Sequence, residues 1–166
     1  MSGWSIRSER PDEAAAIAAL TAAAFHRAPH TDGTEATIAG RLRDAGALAL
    51  SLVAEADGLL VGHVAFSPVA ISDGTAGWYG LGPVSVLPSR QGEGIGSEVI
   101  REGLARLRQL GARGCVVLGE PAFYRRFGFE HEPQIAYPDP PPKYFQCVVW
   151  RGPAPRGEVS YASAFG

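Results

Sequence analysis

Three alternating glycines, Gly92, Gly94 and Gly96, stand between an apolar, β-branched segment and a long helix-forming run. The segment reads Val84, Ser85, Val86 and Leu87, and a turn follows at Pro88-Ser89-Arg90. Gln91, Gly92, Glu93, Gly94, Ile95, Gly96 and Ser97 then lead into an amphipathic pattern that continues to Leu110. Strand, glycine-rich turn and helix in this order aim several backbone N–H groups at one anion. The first N–H groups of a helix lack intrahelical partners, and the helix dipole adds partial positive charge there. Glycine removes the Cβ atoms that keep phosphate oxygens off the backbone. The chemistry expected of this stretch is the grip of a pyrophosphate; a plain tight turn is the bland alternative.

Gly82-Pro83 interrupts an otherwise clean strand pattern just upstream. Proline has no N–H to give a ladder, and glycine inside a strand marks a bulge, so pairing should break here. A break would splay this strand from a parallel neighbour and free the main-chain groups of Val84 and Val86. An unpaired strand edge accepts an extended, amide-containing ligand as though it were another strand. Pantetheine is such a ligand, and it ends in a pyrophosphate. Competing phosphate motifs fit less well. The glycines are spaced Gly-x-Gly-x-Gly, not Gly-x-Gly-x-x-Gly, and no Gly-Lys-Ser/Thr occurs, which excludes a triphosphatase loop. No Gly-x-Ser-x-Gly elbow supports a serine hydrolase. His26 and His30 are four apart, but Pro29 falls between them and no acid completes a site, so no metal is expected.

The elements that must position this stretch follow from periodicity and turn chemistry. Trp4 to Arg7 reads as a short first strand. Pro11, Asp12 and Glu13 open a helix with Ile17, Leu20, Ala24 and Phe25 on its buried face, stopped by Ala28-Pro29. Thr34 and Glu35 start a second helix with Ile38, Leu42 and Ala45 inward and Gly46 as its cap. Leu48 to Glu55 and Leu59 to Ser67 flank Asp57-Gly58, a hairpin signal. Asp73-Gly74 turns the chain toward Trp78. Beyond the central helix, Cys115 to Leu118 reads as a parallel strand reached by a right-handed crossover. Pro121 to Phe127 reads as a brief helix capped by Gly128. Phe129 to His131 and Tyr144 to Trp150 read as strands on either side of the stiff Pro138-Asp139-Pro140-Pro141-Pro142 loop, and Glu158 to Tyr161 as a last edge strand. The fold class expected is α/β: a mixed, mostly antiparallel sheet flanked by helices, with a bulged central strand splayed from its parallel neighbour. Residues 1–166 read as one domain.

Composition sets the outer limits. A formal net charge of -2 gives no basic field for nucleic acid. No apolar run reaches the about eighteen residues a membrane span needs. Met1 to Arg10 has no secretory apolar stretch, so a cytoplasmic location is expected. Cys115 and Cys147 both lie in apolar runs, which predicts two buried, reduced thiols.

Gln91-Gly92-Glu93-Gly94-Ile95-Gly96 matches the Gln/Arg-x-x-Gly-x-Gly/Ala signature of the GCN5-related N-acetyltransferases (GNAT). Leu118-Gly119-Glu120-Pro121-Ala122-Phe123-Tyr124-Arg125-Arg126-Phe127-Gly128-Phe129 resembles the YhbS-like branch of that family, as do Gly157 to Tyr161 and Ala164-Phe165. The resemblance covers essentially the whole chain. It implies acetyl-CoA as cosubstrate, with no metal, and a primary amine as acceptor, on a small molecule or on an aminoacyl or peptide chain. It implies a pyrophosphate held by backbone N–H groups from Gln91 through Gly92, Glu93, Gly94, Ile95 and Gly96 to Ser97. Main-chain groups of Val84, Ser85 and Val86 would hold pantetheine, and one N–H of this strand would polarise the acetyl carbonyl. Tyr124 stands where the family carries a tyrosine that contacts the donor and protonates the departing CoA thiolate. Many relatives carry a strand carboxylate as base near the position of Gly80, but no acid lies between Gly74 and Pro88 here. That leaves Glu120, through water, or His63 as proton acceptors; a helix-start acid and a satisfied strand histidine are their plainer readings. Arg90, Arg125 and Arg126 are candidates for the outlying phosphates, or plain surface charge. Phe25, Trp78, Tyr79 and Tyr137, with Asp32 and Asp73, would line the acceptor side. A monomer or homodimer is expected. The alternative function is a non-catalytic acetyl-CoA-binding sensor.

Overall fold

The structure, a computed structural model, describes residues 3–26, 35–138 and 142–162. From the N-terminus, β1 is Ser5–Ser8, and a 3-10 turn at Pro11–Glu13 leads into α1, Ala14–Phe25. α2 is Glu35–Asp44, β2 Leu50–Ala56, β3 Leu59–Pro68 and β4 Ala70–Ile71. β5 is Trp78–Val86 and α3 Ile95–Gln109. Then come β6 Gly114–Leu118, α4 Pro121–Tyr124, β7 Ile135–Ala136, β8 Phe145–Val149 and β9 Gly157–Ser160. This is an α/β fold with both parallel and antiparallel strand pairs and helices against the sheet. The chain divides into two compact units, Met1–Phe66 with Gly82–Ala105, and Ser67–Leu81 with Arg106–Gly166.

In the first unit, neighbouring strands run in the order β1-β2-β3-β5. Asp57 and Gly58 carry φ of 52° and 81°, the doubly positive turn that matches strand twist, so the hairpin forms where its dipeptide predicts. The register shifts between Ala54 and Glu55, leaving Val61 as the extra residue. α1 buries Ile17, Leu20 and Thr21; Ala24 and Phe25 are only half-buried, and the polar Thr21 takes their place on the inner face. Ile17, Ala39 and Val53 form a cluster that ties α1 and α2 to β2. On α2, Leu42 is fully buried while Ala45 is exposed. Gly46, at φ 70°, closes the helix: its N–H donates to the Arg43 carbonyl, and the Ala47 N–H to that of Leu42. The stops expected at Ala28-Pro29 and the start at Thr34 lie outside the described residues.

In the second unit the order is β5-β6-β8. β5 and β6 are parallel, with Trp78 opposite Gly114, Tyr79 opposite Cys115 and Gly80 opposite Val116. Gly82 follows at φ 138° before a cis Gly82–Pro83 bond, so the irregular point expected from the sequence is present in the backbone. β6 and β8 are antiparallel from Gly114↔Val149 to Leu118↔Phe145. Trp78 is 1 % exposed and lies over Gly114, where an added Cβ would meet its ring at 2.5 Å. Trp78 therefore anchors the core with Val116, Phe145 and Cys147 and is not available to an acceptor. Three further expectations are corrected. Phe129 to His131 is not a strand; it makes one bridge, Glu130 to Cys147. The last strand, β9, is not an edge: it lies between β4 and β7 in a separate three-stranded sheet. β4 and β7, two residues each, have no periodic signature of their own. Cys115 and Cys147 are buried free thiols, as expected.

Candidate functional site

The expected anion loop is built entirely within the first unit. β5 ends at Val86, and the Leu87 N–H donates to the Val61 carbonyl at 2.9 Å, fixing the strand's exit beside β3. A 3-10 turn at Pro88–Arg90 then reverses the chain. Gly92 and Gly94 carry φ of 85° and 93°, backbone that side chains rarely tolerate, and α3 opens at Ile95. The Glu98 N–H donates to the Gly94 carbonyl, so Gly94 is the first residue engaged by the helix. Helix geometry leaves the N–H groups of Gly94, Ile95, Gly96 and Ser97 without intrahelical acceptors. At Gly96 an added Cβ would stand 3.3 Å from a Val86 methyl, so this glycine lets the first helical turn close on the strand end. Ile95 is buried and packs against Gly62, which locks the helix head to β3.

Side chains around the loop are already engaged. The Ser85 hydroxyl is buried and donates to Thr21 Oγ1, which donates to the Ile17 carbonyl. Only the main chain of Ser85 is left for a ligand. Gln91 Nε2 donates to the Val86 carbonyl at 3.3 Å, a contact the sequence did not announce. Arg90, a candidate for the outlying phosphates or plain surface charge, donates from Nε to both carboxylate oxygens of Glu93.

Tyr124 and Glu120 lie in the second unit. The Glu120 carbonyl accepts the N–H groups of Phe123 and Tyr124, both at 3.1 Å, and so starts the short α4 turn. The Glu120 side chain makes no capping bond and is exposed. Tyr124 ends α4, edge-on to Phe123 and Phe129 at ring separations of 4.9 and 6.0 Å. Its ring also covers Gly119, where any added Cβ would collide with it. Burial pushes the Tyr124 phenol up to about 12, with the Cys115 thiol adding to the effect, so the O–H keeps its proton at neutral pH. Arg125 and Arg126 follow in a 3-10 turn closed by Gly128 at φ 95°. Both are exposed, and the Arg126 guanidinium lies over the Phe123 ring.

The missing strand carboxylate has a physical cause. A Cβ at Gly80 would stand 2.6 Å from Cε1 of Tyr161 and 3.1 Å from a Val69 methyl. The Tyr161 ring fills the space a side chain on this part of β5 needs. A glycine within a strand is the signal of such an approach, and Tyr161 is the residue the sequence reading missed. Tyr161 meets Tyr137 edge-on, and Tyr137 stacks on Phe145. Tyr79 is half-buried; the Asp73 carboxylate accepts the Thr75 and Arg156 N–H groups, and Asp32 lies outside the described residues.

His63, the other base considered, is fully buried on β3. Its Nε2 is 2.8 Å from Ser51 Oγ. Nδ1 has no hydrogen-bond partner among the described residues. Burial pulls the imidazole down to about 4, Glu9 opposing and Arg43 reinforcing. Burial alone would raise Glu9, but hydrogen bonds from Arg43 and Ser51 outweigh it and leave the carboxyl below its ordinary range. Among the described residues, no three His, Cys, Asp or Glu side chains group as metal ligands, and no helix is long and apolar enough to cross a membrane.

Comparison with known proteins places these pieces. A family model described as an acetyltransferase (GNAT) domain matches residues 48–131. Over 126 residues, 75% of this chain and 72% of the relative, the sequence is 40% identical to the uncharacterized N-acetyltransferase YhbS of Escherichia coli K12. A GNAT family acetyltransferase from Brucella melitensis, solved in complex with acetyl-CoA, is similar at a TM-score of 0.88 and 53% identity, over 98% of both chains. The E. coli YhbS structure in complex with CoA is similar at a TM-score of 0.87 and 32% identity, over 99% of this chain and 93% of that one. The glycine loop at the head of α3, the α4 turn that carries Tyr124 and these relatives agree, and the chain belongs to the GNAT family of acetyltransferases.

Proposed function

We propose that this acyltransferase moves an acetyl group from acetyl-CoA to a primary amine, on a small molecule or on an aminoacyl or peptide chain. The observation that carries the reading is the closure of the α3 head on the end of β5 at Gly96 and Val86. It gathers free helix-start N–H groups beside strand main chain, the two features a pyrophosphate and its amide-bearing arm require. The complexes of the two structural relatives with acetyl-CoA and CoA support the same donor. In this reading the N–H groups from Gln91 to Ser97 hold the pyrophosphate, and the main chains of Val84, Ser85 and Val86 hold pantetheine. The amine nitrogen attacks the thioester carbonyl, the C–S bond breaks, and Tyr124 donates its O–H to the sulfur that leaves. Glu120, through water, accepts the proton of the ammonium. Residues 1–166 act as one acetyltransferase domain, a reading supported by a family match that includes residues of both compact units.

Thiol release from acetyl-CoA across a panel of amines, with mass spectrometry of the products, tests the reaction. Amine-dependent thiol release and a product heavier by one acetyl group are expected; binding of acetyl-CoA without turnover on any amine overturns the catalytic reading. Gly94→Ala tests the loop. A side chain at φ 93° is strained by about 1–3 kcal/mol, so the loop relaxes away from its present shape. The dissociation constant for CoA, read by titration calorimetry, should rise about tenfold; an unchanged constant removes the loop from the donor site.

A further inference from the structure

The loop that should receive a pyrophosphate carries an acid of its own. Glu93 lies between Gly92 and Gly94, two residues before α3 begins, with an exposed side chain. Acidic side chains at a helix head are drawn to its unpaired N–H groups and to the positive end of its dipole. Glu93 is thus chemically able to occupy the place of the ligand. Its tether keeps it at high local concentration there.

Two contacts in the structure hold the acids of this region elsewhere. Arg90 Nε donates to Glu93 Oε2 and Oε1 at 2.9 and 3.1 Å. Glu98, in the first turn of α3, accepts the Trp4 indole N–H at 2.7 Å. Arg90 is fixed in turn at the end of the Pro88–Arg90 turn, where its N–H donates to the Leu87 carbonyl. One of its terminal nitrogens stands 3.6 Å from where a Cβ on Gly3 would be.

We propose that Arg90 is a positioning residue that holds the Glu93 carboxylate off the α3 head and so keeps the anion site open. Arg90 acts through Glu93 and does not contact the phosphates. The inference rests on the reading that CoA binds at this loop. When Arg90 is removed, the freed carboxylate competes with the pyrophosphate and repels it.

A double-mutant cycle on CoA affinity, measured by titration calorimetry, decides this. Arg90→Gln should weaken CoA about tenfold, and Glu93→Gln should tighten it about twofold by removing a like charge. The double variant should bind as tightly as Glu93→Gln alone. Raising salt from about 0.05 M to about 0.5 M should shrink the Arg90→Gln defect, because the pair and its competitor are exposed charges. An Arg90→Gln defect of the same size in the Glu93→Gln background overturns the proposal and makes Arg90 a direct phosphate ligand. An Arg90→Gln protein that binds like wild type overturns it as well. Wild-type protein that fails to bind CoA at all defeats the donor reading itself, a result the cycle separates from the other two.

Discussion

Tyr124→Phe is expected to lower turnover with acetyl-CoA and amine by about 10²-fold while changing CoA affinity less than about twofold. The substitution removes one oxygen and keeps the ring, so the contacts with Phe123, Phe129 and the bare backbone of Gly119 persist. In the proposed mechanism, what disappears is the hydrogen-bond donor for a sulfur that gains charge as the C–S bond breaks. Desolvation raises the phenol to about 12, so the donor is present throughout the neutral range. No tyrosine ionisation should then appear in the pH–rate profile below about pH 10. Steady-state rates and calorimetric CoA binding on the same preparations separate the two effects. Unchanged turnover would remove Tyr124 from the chemistry, and a matched loss of binding would make it a packing residue. Glu120→Ala belongs beside it: a fall in turnover with CoA affinity unchanged is expected, and unchanged turnover excludes Glu120 as the base.

The second large effect concerns acid. In the unfolded chain His63 takes a proton near its ordinary value of 6.5; in the folded chain burial holds it at about 4. Between those values the unfolded state binds a proton that the folded state does not. Stability from this group is therefore complete above about pH 6.5 and falls as the pH drops toward 4, by about 3 kcal/mol in all. The sign follows from burial: the ring is enclosed, and Nδ1 has no hydrogen-bond partner among the described residues to stabilise the charged form. Carboxylates lose their share lower down. Glu13, hydrogen-bonded by Arg7 and held at about 2, contributes above its ordinary value of 4.5 and loses that contribution below it. Denaturant unfolding of wild type and His63→Gln across this range should show the wild type steeper between pH 6.5 and 4 and the two parallel below it. Parallel curves throughout would mean that His63 takes up its proton alike in the folded and unfolded chain, so that burial does not lower it.

Local signals were legible and long-range ones were not. The Asp57-Gly58 hairpin, the Gly46 and Gly128 caps and the glycine loop into α3 all appear where their residues predicted, because each is decided within a few residues of backbone. Trp78 was misread because its neighbour is remote: only Gly114, on the adjacent strand, leaves room for its ring, and a pattern along one strand cannot show that. Tyr161 over Gly80 escaped for the same reason at a greater distance in sequence. Thr21 escaped because a hydroxyl on an apolar helix face suggests an outer position, whereas here it returns a hydrogen bond to its own helix and receives one from Ser85. The charges of the loop are a further case of what spacing leaves open. Arg90 beside a phosphate motif suggests a phosphate ligand, and its pairing with Glu93 depends on side-chain directions that spacing leaves open.

The three-stranded sheet of β4, β9 and β7 sets the order in which this chain is able to fold as it is made. Ala70 of β4 pairs with Ser160 and Ile71 with Val159, while Ile135 and Ala136 of β7 pair with Gly157 and Glu158. Of these three strands, the central one is the last to leave the ribosome. Until it emerges, β4 and β7 are open edges beside an incomplete apolar cluster that Val159 later completes. Such long-range closure is slow and comes late, so nascent chains halted before residue 157 should bind chaperones and stay protease-sensitive in the second unit. The hairpin of β2 and β3 closes over a few residues and is protected long before. Emergence of β9 is thus the step that commits the second unit to its native state.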